Sequence, residues 1–447
     1  MENIHHSSTT FPFGRSVADQ ISKIMTKDPV LIKNVLVIDP KSRFNKQRID
    51  LKITAGRILI NQAADKSEEI DGSHLAVSPG LFDFQVSCGE PGQEEKETIA
   101  TLAQAALNGG VTGLQLMPTL LPVIDNRGSV EYLKSLAEKT AVNMVPAGAL
   151  SVNLEGKDMA ELADMFAGGC RGFTDDKKAV KNPVLLHLAL QYTKVSGGLI
   201  MTHAEESAMS LGGKINEGLM SVQLGMKGAP SVSEEIGVMR NLALAEYHAV
   251  PIHILGVSSK RTVELIREAK EKGIAVTCSV YAHHLYFSDQ DLAGFDSNLK
   301  VWPPLRSAED RTALIEAVRM GVIDVISSDH RPETIENKAV EFGFAANGIS
   351  GIETFFGASR FALARTEDLE VLIQKMAITP RELLGLSVPK IDNESIADLF
   401  FYNPNEEFTF SKEQILSKSK NSPFLGNSLK GRIYGVSTSS GCRFSNI

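Results

Sequence analysis

The chain has 447 residues, of which 43% are hydrophobic and 22% are charged, and its formal net charge is −8. This composition is ordinary for a soluble globular protein, and the acidic balance argues against a nucleic-acid groove or an anionic membrane surface as partner. Neither a signal peptide nor a stretch of about 18 uncharged apolar residues is evident, so we expect a cytoplasmic protein. The four cysteines are widely spaced without a CxxC pair, which predicts reduced, buried thiols at Cys88, Cys170, Cys278 and Cys442.

The two ends of the chain share a pattern that its centre lacks. Residues 29–74 contain several short β-rich runs with turn residues and no long helix, and the tail from Ala397 has the same pattern. We therefore predict an N-terminal extension over 1–28 and a small flanking β-sandwich module, built from both chain ends, over 29–74 plus 389–447.

Between these ends, over 75–388, β-rich runs alternate with helical patterns, which is typical of βα units around a parallel sheet. Helix signals include Ser231 to Tyr247 and Ser259 to Lys272. The glycine fingerprint of a dinucleotide-binding sheet is missing, so this α/β pattern predicts a closed (β/α)8 barrel of the TIM type. The eight strand candidates lie within 75–87, 111–118, 143–150, 169–174, 198–204, 251–258, 274–283 and 322–329.

Polar side chains follow the predicted strands at their carboxyl ends, where a barrel of this kind places its chemistry. One such residue alone is more often a cap or a hydrogen-bonded loop residue than a ligand. Five strand ends converging on one face favour a functional site instead. The residues are Asp175 and Asp176, His203 and Glu205, Ser258 and Ser259, His283 and His284, and Asp329 and His330.

A series of motifs occurs in a recognisable order. The chain reads PGLFDF and EPGQEEKETI, then GFTDD, MTHAEE, VSSKRTVELIREAKEKGIAVT, KVWPPLR, IDVISSDHRP and SKSKNSPFLGNSLKGR. From about residue 31 to 436 this order strongly resembles the dihydroorotases, cyclic amidohydrolases of the amidohydrolase superfamily. The resemblance implies a barrel with a flanking β module. It also implies two zinc ions that activate a hydroxide, which opens or closes the dihydroorotate ring in pyrimidine biosynthesis.

Part of the metal-ligand set that the resemblance implies is present. Asp176 matches the family's bridging aspartate, and His203 matches the histidine ligand of its fifth strand. Asp329 matches the eighth-strand aspartate that is both ligand and proton shuttle. We interpret these three residues as a vestigial, incomplete set.

Three histidine ligands of the family are replaced. The first-strand His-x-His pair falls on Gln85 and Ser87, and the sixth-strand ligand falls on Gly256. An amide, a hydroxyl and a glycine cannot replace imidazole nitrogens around zinc, so we expect no metal cofactor, although zinc serves the active family. His253 lies three residues before Gly256, so we expect it to face the other way and to be structural.

The positions that bind substrate in the family have changed as well. Gly89 stands where the family has the arginine that grips the substrate carboxylate, and Thr119 stands where it has the asparagine after MP. Trp302 replaces a second expected asparagine, and Glu333 replaces an expected histidine. Loss of the arginine removes a bidentate carboxylate clamp, and the bulk of Trp302 is expected to fill substrate space.

Cationic residues beside the two remaining aspartates favour charge compensation. Lys177 and Lys178 follow Asp176 where the family has glycine, and Arg331 follows Asp329 closely. Carboxylates brought together without a divalent ion repel each other, and a cationic side chain would neutralise them. The hypothesis is that Lys177, Lys178 or Arg331 occupies part of the former metal site; the alternative is that the two lysines face solvent.

These changes predict a catalytically inactive dihydroorotase homologue with a structural or regulatory role. The resemblance suggests aspartate carbamoyltransferase as partner, and a homodimer is a family expectation. One alternative is a working hydrolase with a single-metal site built on the vestigial set, joined by His283, His284 or His330. Another is a module that binds a different small ligand in the altered pocket.

Overall fold

Strands and helices alternate along most of the chain that the computed structural model describes, residues 29–61 and 68–444. The predicted extension over 1–28 lies outside these ranges. The strands are β1 (Val30–Val37), β2 (Arg48–Thr54), β3 (Arg57–Ile60), β4 (Glu68–Asp71), β5 (Ala76–Pro79), β6 (Leu81–Val86), β7 (Val111–Leu116), β8 (Asn143–Pro146), β9 (Gly172–Phe173), β10 (Leu199–His203), β11 (Ile215–Asn216), β12 (Gly228–Ala229), β13 (Ile252–Leu255), β14 (Val276–Tyr281), β15 (Val325–Ser327), β16 (Leu399–Thr409), β17 (Ser428–Thr438) and β18 (Gly441–Phe444).

The α-helices lie mainly between the parallel strands. They are α1 (Ile99–Asn108), α2 (Arg127–Ala137), α3 (Leu162–Gly168), α4 (Pro183–Ser196), α5 (Ser207–Ser210), α6 (Leu219–Gln223), α7 (Val232–His248), α8 (Lys260–Glu271), α9 (Ala282–Tyr286), α10 (Ala308–Arg319), α11 (Ile335–Lys338), α12 (Phe355–Ala362), α13 (Asp368–Ile373) and α14 (Thr379–Leu383). In the part of the chain that is described, no helix is long and apolar enough to cross a membrane.

Eight parallel strands close the barrel. One sheet has the order β6-β7-β8 and another the order β15-β14-β13-β10-β9. Parallel bridges between Gly148 and Phe173 and between Val86 and His330 join the edges of the two sheets. The predicted α/β fold class, a TIM-type barrel with an added β module, is confirmed.

The barrel strands are apolar on both faces because each lies between the barrel interior and the helices. Every residue of β6, β7 and β10 is buried. One cluster of buried side chains belongs largely to the barrel strands and their ends, and it includes Phe82, Phe84, Met117, Met201, Leu255 and Val325. This packing fixes the strand ends, and the polar residues that follow them, at one mouth.

Both chain ends contribute to one mixed sheet with the order β18-β17-β16-β5-β1-β2-β3, in which β4 also pairs with β1. β5 pairs with β1 and β16, so the run predicted as the first barrel strand is divided between two sheets. The division falls at Pro79 and Gly80, where proline lacks an N–H for a ladder. A Cβ atom on Gly80 would lie 2.0 Å from Thr112 Oγ1, so only glycine fits this corner.

Glu353 joins the barrel to the segment between β16 and β17. Its Oε1 accepts hydrogen bonds from the Leu416 backbone N–H at 2.5 Å and from Asn108 Nδ2 at 3.3 Å. Burial raises the pKa of Glu353 from 4.5 to about 7. The folded state therefore favours the protonated carboxyl more than the unfolded chain does.

We expect Glu353→Gln to flatten the dependence of stability on pH. Because the folded-state pKa is raised, this group stabilises the fold fully below pH 4.5, and that stability is lost as the pH rises to about 7. The total loss is about 3 kcal/mol, so the variant should exceed the wild type in stability at mildly alkaline pH. Urea unfolding between pH 4.5 and about 7 measures how steeply the free energy of unfolding changes with pH. The exposed Glu413→Gln serves as control, and equal slopes for wild type and Glu353→Gln would contradict the prediction.

Candidate functional site

Two buried aspartates lie at the barrel mouth, each just after a strand. Asp176 follows β9 and Asp329 follows β15, and both have left-handed backbone conformations, with φ of 54° and 52°. The Asp176 N–H donates to Thr174 Oγ1 at 2.9 Å, which holds the first of these turns. Such conformations cost about 1–3 kcal/mol in non-glycine residues and cluster at functional sites.

Asp176 is held by an amide and a guanidinium. Gln85 Nε2 donates to its Oδ1 at 2.9 Å, and Arg331 forms a salt bridge with its Oδ2. Burial alone would raise the pKa of Asp176, but the charges of Arg331 and Lys177 outweigh it and hold the pKa below its ordinary value. The carboxylate is therefore charged, and each of its oxygens has a partner in the protein.

Asp329 forms a second salt bridge, with Lys177. Lys177 Nζ lies 2.8 Å from Asp329 Oδ1, donates to the Trp302 carbonyl oxygen at 2.6 Å and lies 3.9 Å from the centre of the Tyr281 ring. Burial raises the pKa of Asp329 and lowers that of Lys177, and each charge opposes the effect of burial on the other. The two partners depend on each other because neither charge is well solvated.

Tyr281 fills the space beside Gly256. A Cβ atom on Gly256 would lie 2.3 Å from Tyr281 Oη, and the Tyr281 hydroxyl donates to Gln85 Oε1 at 3.0 Å. Tyr281 thus continues the network from Lys177 to Gln85 and Asp176. Tyr281 was not predicted as a site residue; the available signal was a glycine just after one strand and a bulky residue at the end of the next.

Gly256→Ala is expected to destabilise the protein by about 3 kcal/mol or more. The residue has a φ of +59°, and its new methyl group would overlap the Tyr281 ring. Gly273→Ala is the matched control, because Gly273 has a φ of +80° with nothing within 4 Å of the added Cβ atom. The control should cost about 1 kcal/mol from backbone strain alone. Equal losses in urea unfolding would show that Tyr281 does not restrict this position.

His203 lies apart from the two salt bridges. It is buried, and its Nε2 is 3.5 Å from Glu205 Oε2, which also accepts a hydrogen bond from Trp302 Nε1 at 3.3 Å. Within the described ranges, neither ring nitrogen of His203 has a hydrogen-bond partner. Of the three residues of the vestigial set, only the aspartates belong to the salt-bridge network.

The remaining predicted positions make local contacts. The Ser87 N–H donates to the His330 carbonyl oxygen at 2.8 Å, and Thr119 is half-buried. A Cβ atom on Gly89 would lie 2.0 Å from the Gln93 carbonyl oxygen, so this loop leaves no room for an arginine side chain. Lys178 donates to the Leu154 carbonyl oxygen at 3.2 Å.

Asp175 and three buried histidines lie at or near strand ends but take no part in the two salt bridges. Asp175 accepts the backbone N–H groups of Leu150 and Ser151 at 3.0 and 2.9 Å. His253 is buried against Phe84, with its Nδ1 2.8 Å from Thr277 Oγ1. Burial lowers the pKa of His284 to about 3 and holds that of its neighbour His283 well below its ordinary value. Both imidazoles are therefore neutral at physiological pH.

A cavity of about 750 Å³ opens outside the salt bridges. Its lining includes Lys177, Arg331 and Asp329 from the network, with Trp302 as an aromatic wall. Lys214 and Lys300 add positive charge to this lining. Burial, together with the charge of Lys214, lowers the pKa of Lys300 to about 8.

These side chains do not fit the two-zinc arrangement that the resemblance implies. Asp176 and Asp329 each face a cation, and Gln85 and Tyr281 link the two salt bridges, because Gln85 binds Asp176 and Tyr281 contacts Lys177. Over residues 29–61 and 68–444, no group of three His, Cys, Asp or Glu side chains is placed to hold a metal ion. A zinc ion would have to displace Lys177 or Arg331 from its carboxylate.

Comparisons with known proteins agree with the fold. A family described as Dihydro-orotase-like matches residues 74–262. The structure is similar to an L-hydantoinase from Arthrobacter aurescens, with a TM-score of 0.81 at 22% identity. The match covers 94% of this chain and 97% of the hydantoinase. A D-hydantoinase from Thermus sp. gives a TM-score of 0.78 at 22% identity over 94% and 97% of the two chains.

Dihydroorotases are similar to the chain over most of its length. The dihydroorotase of Geotalea daltonii is 38% identical over 409 residues, which are 90% of this chain and 96% of that protein. The dihydroorotase of Thermoanaerobacter sp. is 39% identical over 411 residues, or 90% and 94% of the two lengths.

These relatives correct one expectation. Dihydroorotases that are 37–39% identical over 90% of the chain point to a zinc-dependent family, so the expectation of no metal cofactor is wrong. Zinc is the cofactor that the relatives imply, whatever the present arrangement of side chains. Identity at this level over nearly the whole of both sequences shows that the chain belongs to the dihydroorotase family.

Proposed function

We propose that this dihydroorotase-family protein of pyrimidine biosynthesis is a divergent member that lacks the histidine ligands and has lost catalysis at the barrel mouth. In this proposal its role is structural or regulatory. The observation that carries the proposal is the pair of buried salt bridges, Lys177 with Asp329 and Arg331 with Asp176. Each places a cation of the chain itself on a carboxylate that the family uses for chemistry.

The salt bridges oppose proton transfer. A general base must have a free lone pair within reach of the proton that it removes. Asp329, the position of the family's proton shuttle, instead faces an ammonium at 2.8 Å and is 4% exposed. Releasing it would leave Lys177 and Asp329 as separate buried charges, which costs several kcal/mol.

The substrate side of the site supports the same proposal. Gly89 supplies no cation, and Trp302 forms part of the cavity wall. Glu333 forms a salt bridge with Lys96 at 3.1 Å and accepts a hydrogen bond from Asn337 Nδ2 at 2.9 Å. A substrate carboxylate would therefore find no bidentate clamp at these positions.

Aspartate carbamoyltransferase is the partner that we propose, because some dihydroorotase-like chains assemble with this enzyme. The chain keeps a large buried core while Gln85, Ser87 and Gly256 replace the family's histidine ligands, which favours a retained structural role. Mixing the purified chain with the transferase of the same organism should give one complex in sedimentation velocity at micromolar concentration. The dihydroorotase of Thermoanaerobacter sp. serves as a control for nonspecific association. Independent sedimentation of the two proteins would contradict the partnership.

Binding of a small anion is a second candidate function, favoured by the cavity at the mouth. Lys214 and Lys300 line it, and in the described ranges neither forms a salt bridge. Inorganic phosphate and a small dicarboxylate, titrated calorimetrically, are suitable probes. Lys214→Met should weaken any binding at least tenfold, whereas Lys227→Met, outside the cavity lining, should not. Unchanged binding in Lys214→Met would remove this candidate.

A further inference from the structure

A second cavity lies between the flanking β module and the barrel. It has a volume of about 230 Å³, and none of its described lining residues belongs to the cavity at the barrel mouth. Its walls come from the end of α1, from α12, from β17 and β18, and from the segment 413–416. β17 packs against both α1 and α12, so a ligand in this cavity would contact the module and the barrel together.

Arg443 on β18 is the lining residue that indicates a ligand. Its Nη1 atom is buried, and within the described ranges this atom has no hydrogen-bond acceptor. Burial lowers the pKa of Arg443, and no described carboxylate opposes that effect. By contrast, the buried Arg360 donates to the carbonyl oxygens of Leu363 and Pro404 at 2.6 and 3.2 Å. Because an arginine stays charged in proteins, a buried guanidinium nitrogen without an acceptor favours an anion beside it.

The two carboxyl groups of the cavity lining do not neutralise Arg443. Glu353 Oε1 already accepts hydrogen bonds from the Leu416 N–H and from Asn108, and burial raises the pKa of Glu353 to about 7. Glu413 is exposed, and in the described part of the chain it forms no salt bridge with Arg443. The positive charge of Arg443 therefore has no counter-charge from the cavity walls.

Two further lining residues can donate hydrogen bonds. Arg432 on β17 donates Nη1 to Glu406 Oε1 at 3.2 Å, which leaves its other guanidinium N–H groups for a ligand. Gln414 Oε1 accepts the Ser411 N–H at 2.7 Å, so the amide presents its Nε2 as a donor. Together with Arg443, these donors belong to two strands and to the segment before β17.

We propose that this cavity binds a tetrahedral oxyanion, a phosphate or sulfate group, held by Arg443 together with Arg432 and Gln414. A carboxylate has two oxygens in one plane, which a single guanidinium fork satisfies. A tetrahedral oxyanion has more acceptor oxygens and can accept from donors on three elements at once. The volume is below the roughly 300–1,000 Å³ of most small-molecule pockets, which suits the anionic group itself. None of these residues belongs to the barrel mouth, so the site is independent of the proposed function.

Calorimetric titration of the full chain with inorganic phosphate and with sulfate tests the site, against chloride at equal ionic strength. The wild type should bind either anion, and Arg443→Met should weaken binding at least about tenfold, because hydrogen bonds to a charged group are lost. Arg48→Met is the matched control and should bind as the wild type does, since Arg48 lies on β2, near the opposite edge of the same sheet. Binding should also be unchanged in Lys214→Met, which separates this site from the cavity at the mouth.

Gln414→Glu tests the site without altering the sheet. The variant keeps the acceptor for the Ser411 N–H and adds a negative charge, so it should weaken anion binding at least about tenfold. Circular dichroism and thermal melting establish that each variant is folded. Glycerol phosphate identifies the source of the group: binding as tight as that of inorganic phosphate supports a phosphorylated metabolite, and binding of the free anion alone supports an inorganic ion.

The site would be ruled out if phosphate and sulfate gave no more heat with the wild type than chloride does. Unchanged affinity in Arg443→Met, or in Gln414→Glu where Arg443→Met does not fold, would place the bound anion outside this cavity. A loss in Arg48→Met as large as that in Arg443→Met would trace the binding to net charge in general. Tighter binding of acetate than of sulfate would show a carboxylate site instead of a tetrahedral one.

Discussion

Lys177→Met is expected to lower the free energy of unfolding by about 3–5 kcal/mol, because removing one partner of a buried salt bridge leaves the other charge uncompensated. Asp329 is 4% exposed and has Lys177 Nζ at 2.8 Å. The same ammonium donates to the Trp302 carbonyl oxygen and lies over the Tyr281 ring, so its removal loosens three groups at once. Urea unfolding of wild type and variant measures the loss.

Two further variants separate charge from packing. Lys178→Met alters the adjacent lysine, whose side chain donates to the Leu154 carbonyl oxygen, and should cost less than about 1 kcal/mol. The double variant Lys177→Met with Asp329→Asn removes both charges and should recover most of the stability. A double variant as unstable as Lys177→Met alone would show that packing, not the buried charge, accounts for the loss.

The loss in Lys177→Met should also depend on pH. Burial already raises the pKa of Asp329 in the folded protein, and Lys177 opposes that rise. Without the lysine the folded-state pKa rises further, so the variant keeps full stability only below the ordinary carboxyl pKa and loses it as the pH increases. The deficit should therefore be small in acid and largest near neutral pH, and a deficit constant with pH would contradict this account.

The fold was predictable because its signals are local. Alternation of apolar strands such as LFDFQV with amphipathic helices predicts parallel βα units, and eight such strands predict closure. Strand ends were also predictable, and they correctly placed Asp176 and Asp329 at the same barrel mouth. Boundaries were less accurate, since Ala76–Pro79 belongs to the module sheet and depends on pairing with strands about 40 and 320 residues away in sequence.

The pairing of charges at the site was not predictable from the sequence. Lys177 is next to Asp176 in the chain but contacts Asp329, and Arg331, two residues after Asp329, contacts Asp176. Each aspartate ends its strand in a left-handed turn, so the residues after it point across the mouth rather than back along their own strand. Such cross-pairing depends on backbone geometry, which adjacency in sequence does not encode.

Dihydroorotate turnover by the purified chain is expected to stay at least about 10⁴-fold below that of the Geotalea daltonii dihydroorotase measured in parallel. A loss of this size corresponds to more than about 5 kcal/mol of transition-state stabilisation, which the loss of a free general base together with the substrate carboxylate clamp accounts for. Separation of dihydroorotate from its ring-opened product, with zinc added and with chelator, measures the rate. Zinc-dependent turnover within a hundredfold of the relative's would contradict the loss of catalysis.

Substrate binding gives an independent readout of the same proposal. A ligand that binds only the folded state raises the melting temperature, by an amount set by its concentration relative to the dissociation constant. Gly89 and the engaged Glu333 provide no carboxylate clamp, so dihydroorotate should leave the melting temperature of this chain unchanged while raising that of the relative. A shift without turnover would mean that the pocket still recognises the substrate and that the salt bridges alone block the chemistry. Absence of both would indicate that the site has lost substrate recognition as well as catalysis, because Lys177 contacts both Asp329 and the Trp302 carbonyl oxygen.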